Sequence, residues 1–208
     1  MGREDALNQG DRIQSPEFKK WFGDSKIVNE DGSPMVVYHG TNKDFSEFSV
    51  KQKNDHGYYG EGYYFTPNQS DASFYADLYS TRDVVEGEQS APNVMPVYLS
   101  IKNPYVIYKN NFSGPQYADE FTKDLKEKGY DGIIVRLRDV DDITGNIVAD
   151  DITEIIAFEP NQIKSSIGNR GSFDPNSPNV LFQQDMVPPT FSRVEQLVSE
   201  KMGGTPIS

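Results

Sequence analysis

Three short stretches of this chain place reactive side chains beside residues that suit a flat ligand. The first is His39-Gly40-Thr41, which ends an apolar strand. Histidine titrates near neutral pH and bonds through two ring nitrogens, and glycine lets a ligand approach the backbone closely. Taken alone, such a histidine is usually half-buried at a strand end and bonded to backbone. The other histidine, His56, lies in a polar loop, and we interpret it as a surface residue.

The second stretch is rich in glycine and tyrosine. Residues 60–66 read Gly-Glu-Gly-Tyr-Tyr-Phe-Thr, and Tyr75 follows nine residues later in a helical pattern. A strand followed by a helix can bring two tyrosines together, and two such rings can clamp a flat ring between them. The alternative is that both are core aromatics, since the chain has 12 tyrosines and 12 phenylalanines.

The third stretch begins with Glu154, which leads the apolar run Ile155-Ile156-Ala157-Phe158. A carboxylate at the start of a buried strand could stabilise a developing positive charge. The alternative is a solvated residue at a strand edge, because carboxylates are rarely buried without a partner. Glu159 closes the same run and is the competing candidate.

Strands with few helices surround these stretches and predict a mixed α+β fold. Ser15 and Pro16 favour a helix start, and Ser70 is the predicted cap of the helix that carries Tyr75. We expect helices over 16–23, 70–79 and 115–128, a hairpin of 26–28 with 35–38, strands over 63–66, 94–101, 105–108, 131–135 and 154–158, an acidic loop over 136–153 and a short edge strand over 180–182. The domain boundaries follow: a flexible segment over 1–14, one domain over 15–183, and a tail or truncated helix over 184–208.

Composition narrows the function classes. The net charge of −12 disfavours contacts with nucleic-acid phosphates, which need clustered lysine and arginine. The chain has no cysteine, so thiol catalysis and cysteine-held metals are excluded. Its apolar runs are too short to span a membrane, so we expect no membrane partner.

The order of the motifs resembles the ADP-ribosyltransferases of the H-Y-E class, to which diphtheria-toxin-like transferases and poly(ADP-ribose) polymerases belong. Residues 60–75 are similar to the polymerases' glycine–tyrosine–phenylalanine strand and following helix. In that register Tyr64 rather than Tyr63 is the motif tyrosine, and Glu154 rather than Glu159 is the motif glutamate. The layout is closest to the domains of this kind in bacteriophage polyvalent proteins, and it covers about residues 15–183.

The resemblance implies a split β core of two small packed sheets with flanking helices, and an enzyme that uses NAD+ as substrate without a metal. It implies that the Gly40 backbone holds the nicotinamide carboxamide and that Tyr64 and Tyr75 sandwich the ring. His39 and Thr41 would then bond the adenosine ribose, and Glu154 the nicotinamide ribose. His39, Tyr64 and Glu154 are thus the predicted catalytic set.

Two departures from the resembling families qualify this assignment. The polymerases have a serine in the tyrosine helix that bonds the carboxamide, and this chain has Ala72 there, with Ser70 or Ser73 as possible substitutes. Arginine-specific transferases carry two glutamates spaced by one residue. Ile152 stands in place of the first, so arginine targeting has no support.

We expect a monomeric mono-ADP-ribosyltransferase that belongs to a longer phage protein and acts on a protein in the host cytoplasm. Two alternatives share the same residues: an NAD+ glycohydrolase, and a non-enzymatic NAD-fold module of a phage particle. The predicted loop 136–153 carries five aspartates against two arginines, a net charge of −3, and would favour an acceptor with a basic surface. A solvated acidic loop without a partner is the alternative.

Overall fold

The computed structural model describes residues 12–42, 45–49, 53–54, 57–82, 92–169 and 173–181. His56, the N-terminal segment 1–11 and residues 182–208 lie outside this part of the chain. The helices are α1 Pro16–Phe22, α2 Gln69–Arg82 and α3 Ala118–Glu127, with short 3-10 turns at Lys109–Asn111 and Pro160–Gln162. The strands are β1 Val37–Thr41, β2 Tyr63–Phe65, β3 Asn93–Leu99, β4 Pro104–Tyr108, β5 Gly132–Val140, β6 Ile147–Ala157 and β7 Ile163–Ser165.

The strands form two sheets, as the resemblance implied. One sheet has three strands in the order β1-β3-β7, and the other has four in the order β2-β6-β5-β4. All pairs are antiparallel except β4 with β5. The inner faces pack together around a cluster that includes Val37, Phe65, Leu99 and Ile155. The split α+β core is therefore confirmed.

The outer faces of the sheets are covered by the helices. Phe18, Trp21 and Phe22 of α1 pack on Tyr98 of β3, and Leu125 of α3 packs on the outer face of the four-stranded sheet. Ser15 caps α1 by accepting a hydrogen bond from the Phe18 backbone N–H, as predicted. None of the described helices is both long and apolar enough to cross a membrane.

Two predicted element boundaries were wrong at helix starts. Asn68, and not Ser70, caps α2: its side-chain oxygen accepts from the Ser70 backbone N–H at 2.9 Å. Asparagine is as good a cap as serine, which allows the helix to begin two residues earlier than predicted. Helix α3 begins at Ala118 rather than at Pro115, with Tyr117 at the cap position.

The predicted acidic loop 136–153 is instead a long β-hairpin. Strands β5 and β6 continue along each other to Val140 and Ile147, beyond the reach of their outer neighbours β4 and β2. Residues 137–152, here called the acidic arm, therefore form a two-stranded ribbon that extends from the sheet. Asp150 holds its base by pairing with Arg136 and Arg138 at 2.6 and 2.7 Å.

Smaller differences concern short strands. The predicted pairing of 26–28 with 35–38 is reduced to one bridge between Val28 and Pro34, and the second arm continues as β1. Strand β7 was not predicted, because it contains the buried Lys164. The Lys164 ammonium donates to the carbonyls of Ser177 and Asn179, and so ties segment 173–181 to β7.

Gln162 joins the ends of three strands. Its side-chain oxygen accepts from the backbone N–H groups of Phe158 and Glu159, and its amide donates to the carbonyls of Ser100 and Asp131. One side chain thus satisfies four backbone groups, which gives a structural reason for the glutamine after the glutamate strand.

Candidate active site

The two sheets meet at one bridge, and this bridge brings the first two motifs together. The backbone N–H of Tyr38 donates to the carbonyl of Thr66 at 2.8 Å, and the N–H of Thr66 donates back at 3.0 Å. His39 on β1 therefore lies beside Tyr64 on β2.

His39 is a neutral, oriented histidine. Its Nδ1 lies 2.8 Å from the carbonyl oxygen of Tyr64, and because a carbonyl only accepts, Nδ1 must carry the proton. The ring packs against Phe48 and Phe65, with centroids 5.0 and 5.5 Å away. Burial lowers the pKa of His39, and the bond to the Tyr64 carbonyl opposes this only in part. Nε2 is left as a hydrogen-bond acceptor at neutral pH.

Gly40 is required by the packing of α2. A Cβ at this position would overlap the Ala72 carbonyl oxygen and lie 3.0 Å from the Ala76 backbone nitrogen. Both alanines are buried, so the helix rests directly on β1. This contact gives Gly40 a structural role besides the predicted ligand contact, and it explains a small residue at position 72. Thr41 is buried at the end of the same strand, opposite Asn93.

Tyr64 fixes the loop before its own strand. Its hydroxyl donates to the Gly60 carbonyl at 2.6 Å and accepts from the Tyr59 backbone N–H at 3.1 Å. Tyr64 pairs with Ile156, and Glu154 lies two residues before Ile156 on the same face of the sheet. The ring and the predicted glutamate thus share one face, although Tyr64 does not line the cleft described next.

An open cleft lies at the junction, with a cavity volume of about 260 Å³. This volume is just below the range of about 300–1,000 Å³ that is typical of small-molecule sites. Tyr75 and Glu154 both line it, so the structure brings these two predicted residues to one cleft. The full lining is Thr66, Asp71, Phe74, Tyr75, Lys109, Thr153 and Glu154.

Glu154 is a partly buried carboxylate of the cleft lining. It pairs with Val135 on β5 next to a β-bulge at Thr153, and its side chain is 21% exposed. Burial raises the pKa of the Glu154 carboxyl, the Lys109 ammonium lowers it, and the Asp71 carboxylate raises it. Lys109 Nζ lies 4.0 Å from Oε1. Within the described residues no hydrogen bond reaches this carboxylate, and Glu154 lines the cleft.

Glu159, the competing glutamate, lies elsewhere. Its side chain is 57% exposed and pairs with Lys126 at 2.6 Å. It also takes part in the capping box of the 3-10 turn that contains Gln162. These contacts give Glu159 a structural role at the surface and favour Glu154 as the cleft carboxylate.

The serines proposed in place of a polymerase-type serine do not line the cleft. Ser70 is exposed on the first turn of α2, and the Ser73 hydroxyl donates to the Gln69 carbonyl at 3.0 Å. Sequence reasoning missed Lys109, Asp71 and Phe74. The position of Asp71, four residues before Tyr75 on the predicted helix, was a usable signal, because such residues share a helix face. Nothing in the sequence pointed to Lys109. In the described part of the chain, no group of three or more histidine, aspartate or glutamate side chains could hold a metal ion.

Two small sheets bridged between Tyr38 and Thr66, with a partly buried glutamate and a helical tyrosine lining one cleft, correspond to the ADP-ribosyltransferase class of α+β domains. A family model described as ADP-ribosyltransferase in polyvalent proteins matches residues 29–173. The chain belongs to this family, and the predicted family is confirmed. The matched range contains all seven strands and every residue that lines the cleft. No curated protein matches the chain.

Proposed function

We propose that this protein is an NAD+-dependent mono-ADP-ribosyltransferase with an H-Y-E site formed by His39, Tyr64 and Glu154. The observation that carries the proposal is the partly buried Glu154 carboxylate, which lines the same cleft as Tyr75. Family membership supports the transferase activity, and the geometry supports the choice of glutamate.

The reaction breaks the bond between C1′ of the ribose and the pyridinium nitrogen of nicotinamide. The electron pair of that bond goes to the nitrogen, so nicotinamide leaves as a neutral base and needs no general acid. The ribose carries positive charge in an oxocarbenium-like state, as in glycoside hydrolysis. A nucleophile of the acceptor then bonds to C1′ and loses its proton. The protein's contribution is positioning and stabilisation of the developing charge.

The two predicted site residues that line the cleft have a direct part in this scheme. Glu154 would accept a hydrogen bond from the ribose 2′-hydroxyl and face the cation, and a charge-assisted bond of this kind contributes about 1.5–3 kcal/mol. Tyr75 is 40% exposed and can stack on the nicotinamide.

The remaining binding groups lie on β1 and β2. His39 would use Nε2 to accept a hydroxyl of the adenosine ribose, and Thr41 would bond the same sugar. Tyr64 would form the second face of the ring clamp, and the Gly40 backbone would hold the carboxamide. Ser70 would need to move from the helix surface to contribute.

We propose a host protein as the acceptor, modified in the host cytoplasm by a phage-encoded effector. The acidic arm supports this choice, because it leaves the sheet directly beside Glu154 and carries unpaired carboxylates. Exposed aliphatic side chains lie at its end, namely Val140, Ile143, Ile147 and Val148. A partner with basic residues around an apolar patch would complement this surface.

The test is incubation of the protein with adenylate-labelled NAD+ and host lysate. We expect label on protein that survives nuclease and is released by protease. Free labelled ADP-ribose alone would favour the glycohydrolase, in which water is the nucleophile. Intact NAD+ with and without lysate would contradict both enzymatic functions and favour a binding module.

A further inference from the structure

One lysine and two carboxylates share the cleft. Lys109 opens the 3-10 turn after β4, and it is the one basic side chain among the described residues that line the cleft. Its ammonium lies 4.0 Å from Glu154, and its side chain is 48% exposed. Asp71 lines the same cleft from the first turn of α2.

The neighbours of Glu154 act on its charge in opposite directions. Burial and Asp71 favour the neutral carboxylic acid, whereas Lys109 favours the carboxylate. The other titratable groups facing Glu154 are the phenols of Tyr59 and Tyr75. Burial, and then the charge of Glu154, raises the pKa of Tyr59 to about 12, so this phenol stays neutral. In the described part of the chain, Lys109 is therefore the cation that offsets the effects of burial and Asp71.

We propose that Lys109 is a positioning residue for Glu154, whose ammonium group keeps the carboxylate ionised and directed into the cleft. This role rests on the proposed function, since only an ionised Glu154 can stabilise a ribose cation. Lys109 reaches Glu154 from the far edge of the four-stranded sheet, across β5. It thus couples the turn after β4 to the chemistry without contacting the reacting bond.

The direct test is a ¹³C NMR titration of the glutamate side chains, with Glu154 assigned from the spectrum of Glu154→Gln. Lys109→Gln should raise the titration midpoint of Glu154, by an amount equivalent to about a two- to fivefold change in its protonation equilibrium, because a half-exposed ion pair is screened by solvent. Asp71→Asn should lower it. Lys109→Arg should restore the wild-type midpoint. Lys126→Gln removes a partly exposed lysine from Glu159 and is the matched control.

The same variants are then compared for nicotinamide release from NAD+ as a function of pH. Lys109→Gln should lose up to about two- to fivefold at pH values below the Glu154 titration midpoint, and approach wild type at about pH 8. Equal Glu154 midpoints in Lys109→Gln and Lys126→Gln would overturn the proposal. Absence of nicotinamide release by the wild type would contradict the proposed function instead, and the titration would still decide the role of Lys109.

Discussion

Replacing Gly40 with alanine tests how closely α2 must rest on β1. The new Cβ would overlap the Ala72 carbonyl oxygen, and it would lie 2.9 Å from the Ala72 carbonyl carbon and 3.0 Å from the Ala76 nitrogen. All three are backbone atoms, so no side-chain rotation relieves the clash, and the helix must move as a unit. Overpacking of this kind costs about 1–3 kcal/mol.

Part of this cost is offset in the unfolded state. Alanine reduces the conformational freedom of the unfolded chain and so stabilises by about 0.4–1 kcal/mol. Because the clash is with backbone, the overpacking cost should fall at the upper end of its range, about 2–3 kcal/mol. The expected net loss for Gly40→Ala is then about 1–2.5 kcal/mol in the free energy of unfolding. NAD+ binding should weaken in addition, because Asp71 and Tyr75 move with the helix that carries Ala72.

Urea denaturation and isothermal titration with NAD+ measure the two effects. Gly168→Ala is the matched control: its Cβ would overlap the end of the Leu181 side chain, which can turn away, so the loss should be small. Adding Ala72→Gly to Gly40→Ala should not restore stability, because the clash is with backbone. Wild-type stability and NAD+ affinity in Gly40→Ala would refute the packing argument.

Two further predictions concern Lys164, which ties segment 173–181 to β7, and the acidic arm. Burial lowers the pKa of Lys164 to about 8 from the ordinary value of 10.5. Above pH 8 the unfolded chain holds this proton more tightly than the folded chain, so the free energy of unfolding should gain about 1–3 kcal/mol from this residue between about pH 8 and pH 10. Urea denaturation at both pH values should show this gain in the wild type and not in Lys164→Met, and parallel behaviour would count against it. In the arm, the combined change of Asp139, Asp142 and Asp151 to asparagine spares Asp150, which holds the base of the arm. This triple variant should weaken label transfer to the acceptor, less so at high salt, and leave NAD+ hydrolysis unchanged. Equal labelling by the variant and the wild type at all salt concentrations would argue for a solvated arm without a partner.

Local patterns were sufficient where one short stretch determines the structure. Ser15 and Pro16 gave the start of α1, and the apolar run after Glu154 gave the inner half of β6. The order of the motifs, by its resemblance to a known family, predicted both the family and the split β core. The cap of α2 was missed because Asn68 and Ser70 are equivalent by type, and only their geometry separates them.

The features that were not predicted depend on contacts between residues that are far apart in the sequence. The sequence of the arm predicts a loop because its strands are polar. In the structure Asp150 lies opposite Arg138 and also bonds Arg136. These pairs depend on the register of the two strands. Strand β7 contains Lys164, and a lysine normally argues against a buried strand. Its carbonyl partners, which make the burial possible, are visible only in the structure. Lys109 reaches Glu154 across 45 residues of sequence, and no local signal encodes that contact.

The central claim is that Glu154 stabilises the ribose cation of NAD+, and nicotinamide release by paired glutamine variants tests it most directly. Glutamine keeps the shape of the side chain and removes its charge. Glu154→Gln should retain NAD+ binding while nicotinamide release falls by about 10²–10³, the usual effect of losing one group that stabilises transition-state charge. Glu159→Gln should stay close to wild type, because that carboxylate pairs with Lys126 at the surface. Equal losses in the two variants, or full activity in Glu154→Gln, would contradict the account.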